Sequence, residues 1–149
     1  MVMIRLQQDF KDFLNLLNSH SVEYLVIGGY AVGYHGYPRA TGDIDIWISN
    51  HASNAKKLVK VLIEFGFDVP GLSEKMFREE GKVIRMGFPP VRIEILTSIS
   101  GVNFQECFST KLTDQIDGIT VNLISLENLK TNKKASGRFK DLDDLENLQ

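Results

Sequence analysis

The chain has 149 residues, of which 43% are hydrophobic and 24% are charged, so we expect one globular domain over residues 1–149. Its formal net charge of -2 excludes a global basic surface for duplex nucleic acid and leaves only a local basic patch open. A single cysteine, Cys107, excludes an intrachain disulfide, and the N-terminal segment lacks the apolar core of a signal peptide or a membrane span. These features predict a cytoplasmic protein without a membrane partner.

The first predicted elements are an amphipathic helix over residues 4–17 and a strand over residues 22–27 that is buried on both faces. The strand ends at Gly28 and Gly29, where positive φ values are accessible and backbone amides can approach a phosphate closely. On the glycines alone, a tight strand-to-helix turn without any ligand is the simpler interpretation. Neither a P-loop nor a dinucleotide-binding fingerprint accompanies them.

The next predicted strand carries two carboxylates. Because strand side chains alternate, Asp43 and Asp45 share one face about 7 Å apart, and the intervening isoleucines share the other. Two like charges this close are unfavourable unless cations compensate, and oxygen ligands are what Mg²⁺ prefers. A half-exposed strand with acidic residues on its wet face explains the same pattern, so both interpretations stay open.

After a predicted helix over residues 55–65, two further strands are expected at 83–88 and 91–96, with Pro89-Pro90 in a hairpin-like connection. In the second of them Glu94 lies on the face opposite the isoleucines. Next to the Asp43 strand it would supply a third carboxylate. Taken alone, Glu94 is an ordinary surface residue.

The C-terminal part is predicted to hold a strand over residues 119–124 and a helix capped by Ser125. Lys130, Lys134 and Arg138 follow at four-residue intervals and would share one face of a continuous helix, unless Gly137 breaks it. A solvated, charged helix face is the plain interpretation of this basic cluster.

This order of features resembles the nucleotidyltransferase superfamily, which has the DNA polymerase β-like fold. Its pattern is a glycine turn, then D-x-D on a strand, then a third acidic residue on a later strand. The closest likeness is to small prokaryotic proteins related to AbiEii-type toxins, on the glycine pair, R-x-T-x-D-x-D at 39–45, Glu94 and the basic tail over 132–148. Two departures are Gly29, where many active relatives have Ser, and Glu94, where Asp is common.

The resemblance implies an α+β (α/β two-layer) fold with a mixed β-sheet packed against helices and a C-terminal helical segment. It also implies transfer of a nucleoside monophosphate from an NTP, such as ATP, to an acceptor hydroxyl, with release of pyrophosphate. The implied catalytic and metal-binding residues are Asp43, Asp45 and Glu94, which would hold two Mg²⁺ or Mn²⁺ ions. The implied triphosphate-binding residues are Gly28, Gly29 and Lys134 or Arg138.

The residues do not specify the acceptor, which the resemblance leaves as an RNA end such as that of tRNA, a protein hydroxyl or a small molecule. The likeness to toxins also implies a toxin or antitoxin partner. The alternative is a degenerate, non-catalytic transferase domain that acts as a binding or antitoxin-like regulatory module. Retention of all three acidic residues argues against it, since a degenerate copy is free to lose carboxylates.

Overall fold

The computed structural model describes residues 4–37, 42–88 and 91–148. The strands in these ranges are β1 Tyr24–Ile27, β2 Asp43–Ile48, β3 Val83–Phe88, β4 Val91–Leu96, β5 Leu112–Ile116 and β6 Ile119–Leu123. They form one sheet in the order β3-β4-β2-β1-β6-β5. The pairs β1–β6 and β2–β4 are parallel, whereas β1–β2, β3–β4 and β5–β6 are antiparallel. The mixed sheet expected from the sequence is thereby confirmed.

The helices in the same ranges are α1 Gln8–Ser19, α2 Gly28–Tyr34, α3 Ala52–Phe65, α4 Phe104–Ser109, α5 Leu126–Ser136 and α6 Phe139–Asn147. A short 3-10 helix spans Glu74–Phe77. None of these described helices is long and apolar enough to cross a membrane.

Alternation along β2 divides the core between the two faces of the sheet. Ile44, Ile46 and Ile48 pack in a cluster with buried residues of α1 and α3. Trp47 points to the other face and packs in a second cluster that includes Cys107 of α4 and Leu129 of α5. Both faces of the sheet are therefore covered by helices, and the predicted α+β fold is confirmed.

Two element predictions differ from the structure near the ends of the sheet. The first helix begins at Gln8 and ends at Ser19 rather than spanning 4–17. Strand β5 had no predicted counterpart, since its sequence is mostly polar and exposed. It is held by a hairpin to β6, whose turn residues Asp117 and Gly118 have φ values of 51° and 82°, as a type I′ turn requires.

The strand register brings the residues singled out in the sequence to one level of the sheet. Asp45 lies opposite Glu94 in the parallel β2–β4 pair and opposite Ile27 in the antiparallel β1–β2 pair. Gly28 follows Ile27 directly and begins α2. The glycine turn, the D-x-D strand and the third acidic residue are thus neighbours in space.

The basic tail forms two helices rather than one. Ser125 caps α5 as expected, since its Oγ accepts a hydrogen bond from the Asn128 backbone N–H at 3.2 Å. Gly137 ends α5 with a φ of 67°, and α6 starts at Phe139. Lys130, Lys134 and Arg138 therefore do not share one continuous helix. The predicted R-x-T segment at 39–41 and the turn at Pro89-Pro90 lie outside the described residues.

Candidate active site

A cleft of about 690 Å³ lies between the sheet and the α5–α6 helices. The sheet supplies carboxylates to one wall, and the glycine turn closes one end. The opposite wall comes from the end of α5 and the start of α6. Residues lining the cleft include Gly28, Gly29, Asp43, Asp45, Glu94, Lys133, Arg138, Lys140 and Asp141. Six of the seven residues predicted from the sequence thus line one cleft, and the seventh, Lys134, does not.

The acidic wall concentrates negative charge at Asp45. Burial raises the pKa of Asp45 most, and the charge and hydrogen bond of Glu94 and the charge of Asp43 raise it further, to about 7. The positive charge of Lys140, on the helical side of the cleft, lowers the pKa of Asp45. The Asp45 carboxyl therefore keeps its proton to a higher pH than an ordinary aspartate does.

Two arginines contact the other carboxylates. Arg92 Nη2 lies 2.8 Å from Oδ2 of Asp43 and 3.2 Å from Oε1 of Glu94. Arg85 Nε, from the neighbouring strand β3, donates to the same Glu94 oxygen at 3.1 Å. The sequence analysis gave these arginines no role. The signal for Arg92 was present, since a residue two positions before Glu94 on a strand shares its face.

Gly28 is required by the position of Asp45. Its φ is 66°, a value that disfavours any residue with a side chain. A Cβ atom built on Gly28 would overlap with Oδ2 of Asp45. The glycine turn therefore makes room for the Asp45 carboxylate, whereas Gly33 of the same helix has open space where its Cβ would be.

The acidic wall has the right chemistry for a divalent cation. All three donors are carboxylates, the hard oxygen ligands of Mg²⁺ and Mn²⁺, and the raised pKa of Asp45 indicates negative charge that a cation would relieve. Among the described residues, no group of three or more His, Cys, Asp or Glu side chains is arranged to hold a metal ion. Arg92 instead bridges Asp43 and Glu94, so a bound cation would have to replace those contacts.

A buried ionic cluster joins α5 to α6, which form the helical wall of the cleft. Lys133 Nζ lies 3.1 Å from Oδ1 of Asp141 and 3.1 Å from Oδ2 of Asp144, and these three side chains are almost fully buried. Asp141 also accepts a hydrogen bond from Ser136 Oγ and one from Arg138 Nε at 2.7 Å. Burial alone would raise the pKa of Asp141, but hydrogen bonds from Arg138, Ser136 and Lys133 outweigh it and hold the pKa well below the usual range.

Of the two cations predicted from the sequence, Arg138 lines the cleft and Lys134 does not. Lys134 is exposed and outside the cleft, whereas Lys133, Arg138 and Lys140 line it. The resemblance implied Lys134 or Arg138, and the sequence left open whether Gly137 breaks the helix that would carry both. The signal for Lys133 was the pair Asp141 and Asp144 in the next helix, which are spaced to share one face.

Comparisons with known proteins identify relatives of this fold. The family model described as nucleotidyl transferase of unknown function (DUF2204) matches residues 6–149. No curated protein matches the sequence at a significant level.

Three crystal structures are similar to the whole chain. A candidate nucleotidyltransferase from Thermotoga maritima has a TM-score of 0.64 at 17% identity, covering 93% of this chain and 88% of that one. An antigenic nucleotidyltransferase-like protein from Paracoccidioides brasiliensis has a TM-score of 0.55 at 23% identity, covering 93% and 73%. A lincosamide antibiotic adenylyltransferase with lincomycin bound has a TM-score of 0.56 at 16% identity, covering 96% of both chains. At such low identities these likenesses show the fold alone.

Proposed function

The chain belongs to this family of nucleotidyl transferases of unknown function (DUF2204), and we propose that it moves a nucleoside monophosphate from an NTP to an acceptor hydroxyl and releases pyrophosphate. The observation that carries the proposal is the register of Asp45 with Glu94 across β2 and β4, with Asp43 on the same face of the sheet. Three carboxylates on one wall face cations on the other, as a metal-assisted phosphoryl transfer needs.

In this proposal Asp43, Asp45 and Glu94 hold Mg²⁺ or Mn²⁺. When bound, such ions lower the pKa of an acceptor hydroxyl and stabilise charge on the leaving group. Glu94 accepts the proton as the acceptor oxygen bonds to the α-phosphorus. The bond from that phosphorus to the β-bridging oxygen then breaks, and pyrophosphate leaves.

The triphosphate lies between the glycine turn and the helical wall. Gly28 and Gly29 carry no side chains, so the nucleotide can approach their backbone closely. Arg138, held by Asp141, and Lys140 neutralise charge that develops on the phosphates. Lys133 is already paired with Asp141 and Asp144, and its part is to join α5 to α6.

The proposal is tested by incubating the protein with each α-labelled NTP, Mg²⁺ or Mn²⁺, and total cellular RNA, protein and small molecules. Label in any fraction supports the transfer and identifies the acceptor class, such as tRNA, a protein hydroxyl or a small molecule. Absence of label from every fraction with all four NTPs and both metals contradicts it. A toxin or antitoxin partner, and kinship with AbiEii-type toxins, stay predictions of the sequence.

One observation favours the second candidate, a non-catalytic binding module. Arg92 and Arg85 already pair with Asp43 and Glu94, so the acidic wall is partly neutralised without any metal. Titration calorimetry separates the two candidates. A transferase binds an NTP more tightly with Mg²⁺ present, whereas the binding module shows no Mg²⁺-dependent binding of any NTP.

A further inference from the structure

A second cavity, of about 150 Å³, lies beyond the ends of β2 and β4. Its walls come from Ser49 to His51 after β2, from Thr97 and Ser98 after β4, and from the start of α4. Because β2 and β4 are parallel, their carboxyl ends meet at one edge of the sheet. The crevice outside such ends is a common ligand position in sheets with parallel strands.

Trp47 lines this cavity and carries a polar group without a partner. The side chain is 2% exposed, and its ring packs edge-to-face on Phe104 with centroids 5.1 Å apart. Its buried Nε1 has no hydrogen-bond partner among the described residues. Buried indole N–H groups normally donate to an acceptor, because a buried donor without a hydrogen bond costs free energy. A ligand oxygen in the cavity would be such an acceptor.

The other polar groups of the cavity are mostly neutral. Hydroxyls and amides line it, and the described lining residues include no Lys or Arg; the titratable ones are His51 and Glu80. A phosphate would meet no strong cation here. The volume matches that of an engineered cavity that holds benzene, so it has room for one six-membered ring.

The cavity adjoins the catalytic cleft. Ser98 lines both. Trp47 is two residues after Asp45 on the same face of β2, which places it about 7 Å further along the strand. We propose that this cavity binds a neutral, hydroxyl-bearing six-membered ring and serves as the acceptor subsite. The acceptor role rests on the transferase function proposed above, whereas ring binding does not.

Trp47 is the single tryptophan of the chain, so its fluorescence reports directly on the cavity. The probes are myo-inositol and methyl α-glucoside, with inorganic phosphate as the charged control. We expect a saturable change in emission with at least one ring compound and none with phosphate. No saturable change with either ring, or an equal change with phosphate, overturns the proposal.

A variant that fills the cavity tests where the ring compounds bind. Gln105 is exposed at the start of α4 and lines the cavity, so Gln105→Phe should occupy the cavity while the protein folds normally. Gln8→Phe, an exposed glutamine on α1 away from the cavity, is the matched control. The emission change should disappear in Gln105→Phe and persist in Gln8→Phe. A change that persists in both variants contradicts binding in this cavity.

Transfer assays separate the acceptor role from the activity itself. Trp47→Phe keeps an aromatic side chain but removes the N–H donor, and should raise the KM for a ring acceptor up to about tenfold while leaving the KM for the NTP unchanged. If the rings bind but no label leaves any NTP, the transferase function fails and the binding site stands. If label passes only to RNA or protein, the acceptor role is wrong.

Discussion

Asp45 and Asp141 line the same cleft from opposite walls, yet their surroundings shift their pKa values in opposite directions. Asp45 stands beside Glu94 and Asp43, and its pKa rises to about 7. Asp141 is less exposed still, at 1%, but Lys133, Ser136 and Arg138 all donate to it and its pKa falls. Burial alone therefore does not decide the charge state of a carboxylate here.

The difference assigns distinct tasks to the two walls. Like charges held together on the sheet cost folding free energy and are expected where a bound cation or substrate restores the balance. The charges of the helical wall are already paired, so this wall keeps its shape without a ligand. We thus predict that the sheet wall governs chemistry and that the helical wall governs stability and the position of Arg138.

The largest stability effect is expected from Asp141→Asn. The change leaves the buried Lys133 with Asp144 as its only charged partner among the described residues. It also weakens the hydrogen bonds that Ser136 and Arg138 donate, so the free energy of unfolding should fall by about 3 kcal/mol. Urea denaturation measures it. Asp143→Asn on the same helix is the control, since Asp143 is exposed and should change stability by less than about 0.5 kcal/mol. If both variants lower the free energy of unfolding by the same small amount, the ion pair between Lys133 and Asp141 does not stabilise the helical wall.

Gly28→Ala should come next in size. The new Cβ would overlap with Asp45 and the backbone would keep an unfavourable positive φ, at a cost of about 1–3 kcal/mol, and the displaced carboxylate should abolish transfer. Gly33→Ala, in the same helix with open space around it, should instead stabilise the protein by up to about 1 kcal/mol. Thermal unfolding and a labelled-NTP assay of both variants check the contrast. An active Gly28→Ala variant would be incompatible with the proposed position of Asp45.

Arg138 and Lys134, the two cations predicted to bind the triphosphate, should differ in their effect on kcat/KM. Arg138→Ala removes a guanidinium that lines the cleft and should lower kcat/KM at least tenfold, about 1.4 kcal/mol in transition-state stabilisation. Lys134→Ala removes an exposed charge outside the cleft and should leave kcat/KM within about twofold. Equal losses would place Lys134 in the working site after all.

The smallest effect concerns pH. Because the pKa of Asp45 is raised, the folded state binds its proton more tightly than the unfolded state, so ionisation lowers stability as pH rises from about 4 to about 7. Asp45→Asn removes that loss. In EDTA the variant should be more stable than the wild type at pH 8, with the gap closing toward pH 4. A gap that does not depend on pH would contradict the raised pKa.

Much of the sheet wall was predictable from the sequence. Alternation placed Asp43 and Asp45 on one face, and the strands at 83–88 and 91–96 have the predicted bounds. The order of glycine turn, D-x-D and a later acidic strand indicated which strands are neighbours. The sequence left open whether the Glu94 strand lies next to the D-x-D strand, and the pairing of Asp45 with Glu94 comes from the structure.

The helical wall was not predictable in the same way. Whether Lys133 or Lys134 faces the cleft depends on how α6 folds back on α5 after Gly137, and spacing within one helix carries no such information. The contact of Arg92 with Asp43 depends on β2 lying beside β4, which a local pattern of charges does not show. The cavity at Trp47 depends on residues from four separate segments of the chain.

The central claim is that the carboxylates of the sheet wall perform the chemistry. The most direct test compares the wild type, Asp43→Ala and Asp45→Ala for transfer of label from α-labelled NTP with Mg²⁺ or Mn²⁺, after thermal unfolding has shown that all three are folded. We predict that both variants lose transfer and are at least as stable as the wild type. Transfer retained in both folded variants would contradict the assignment.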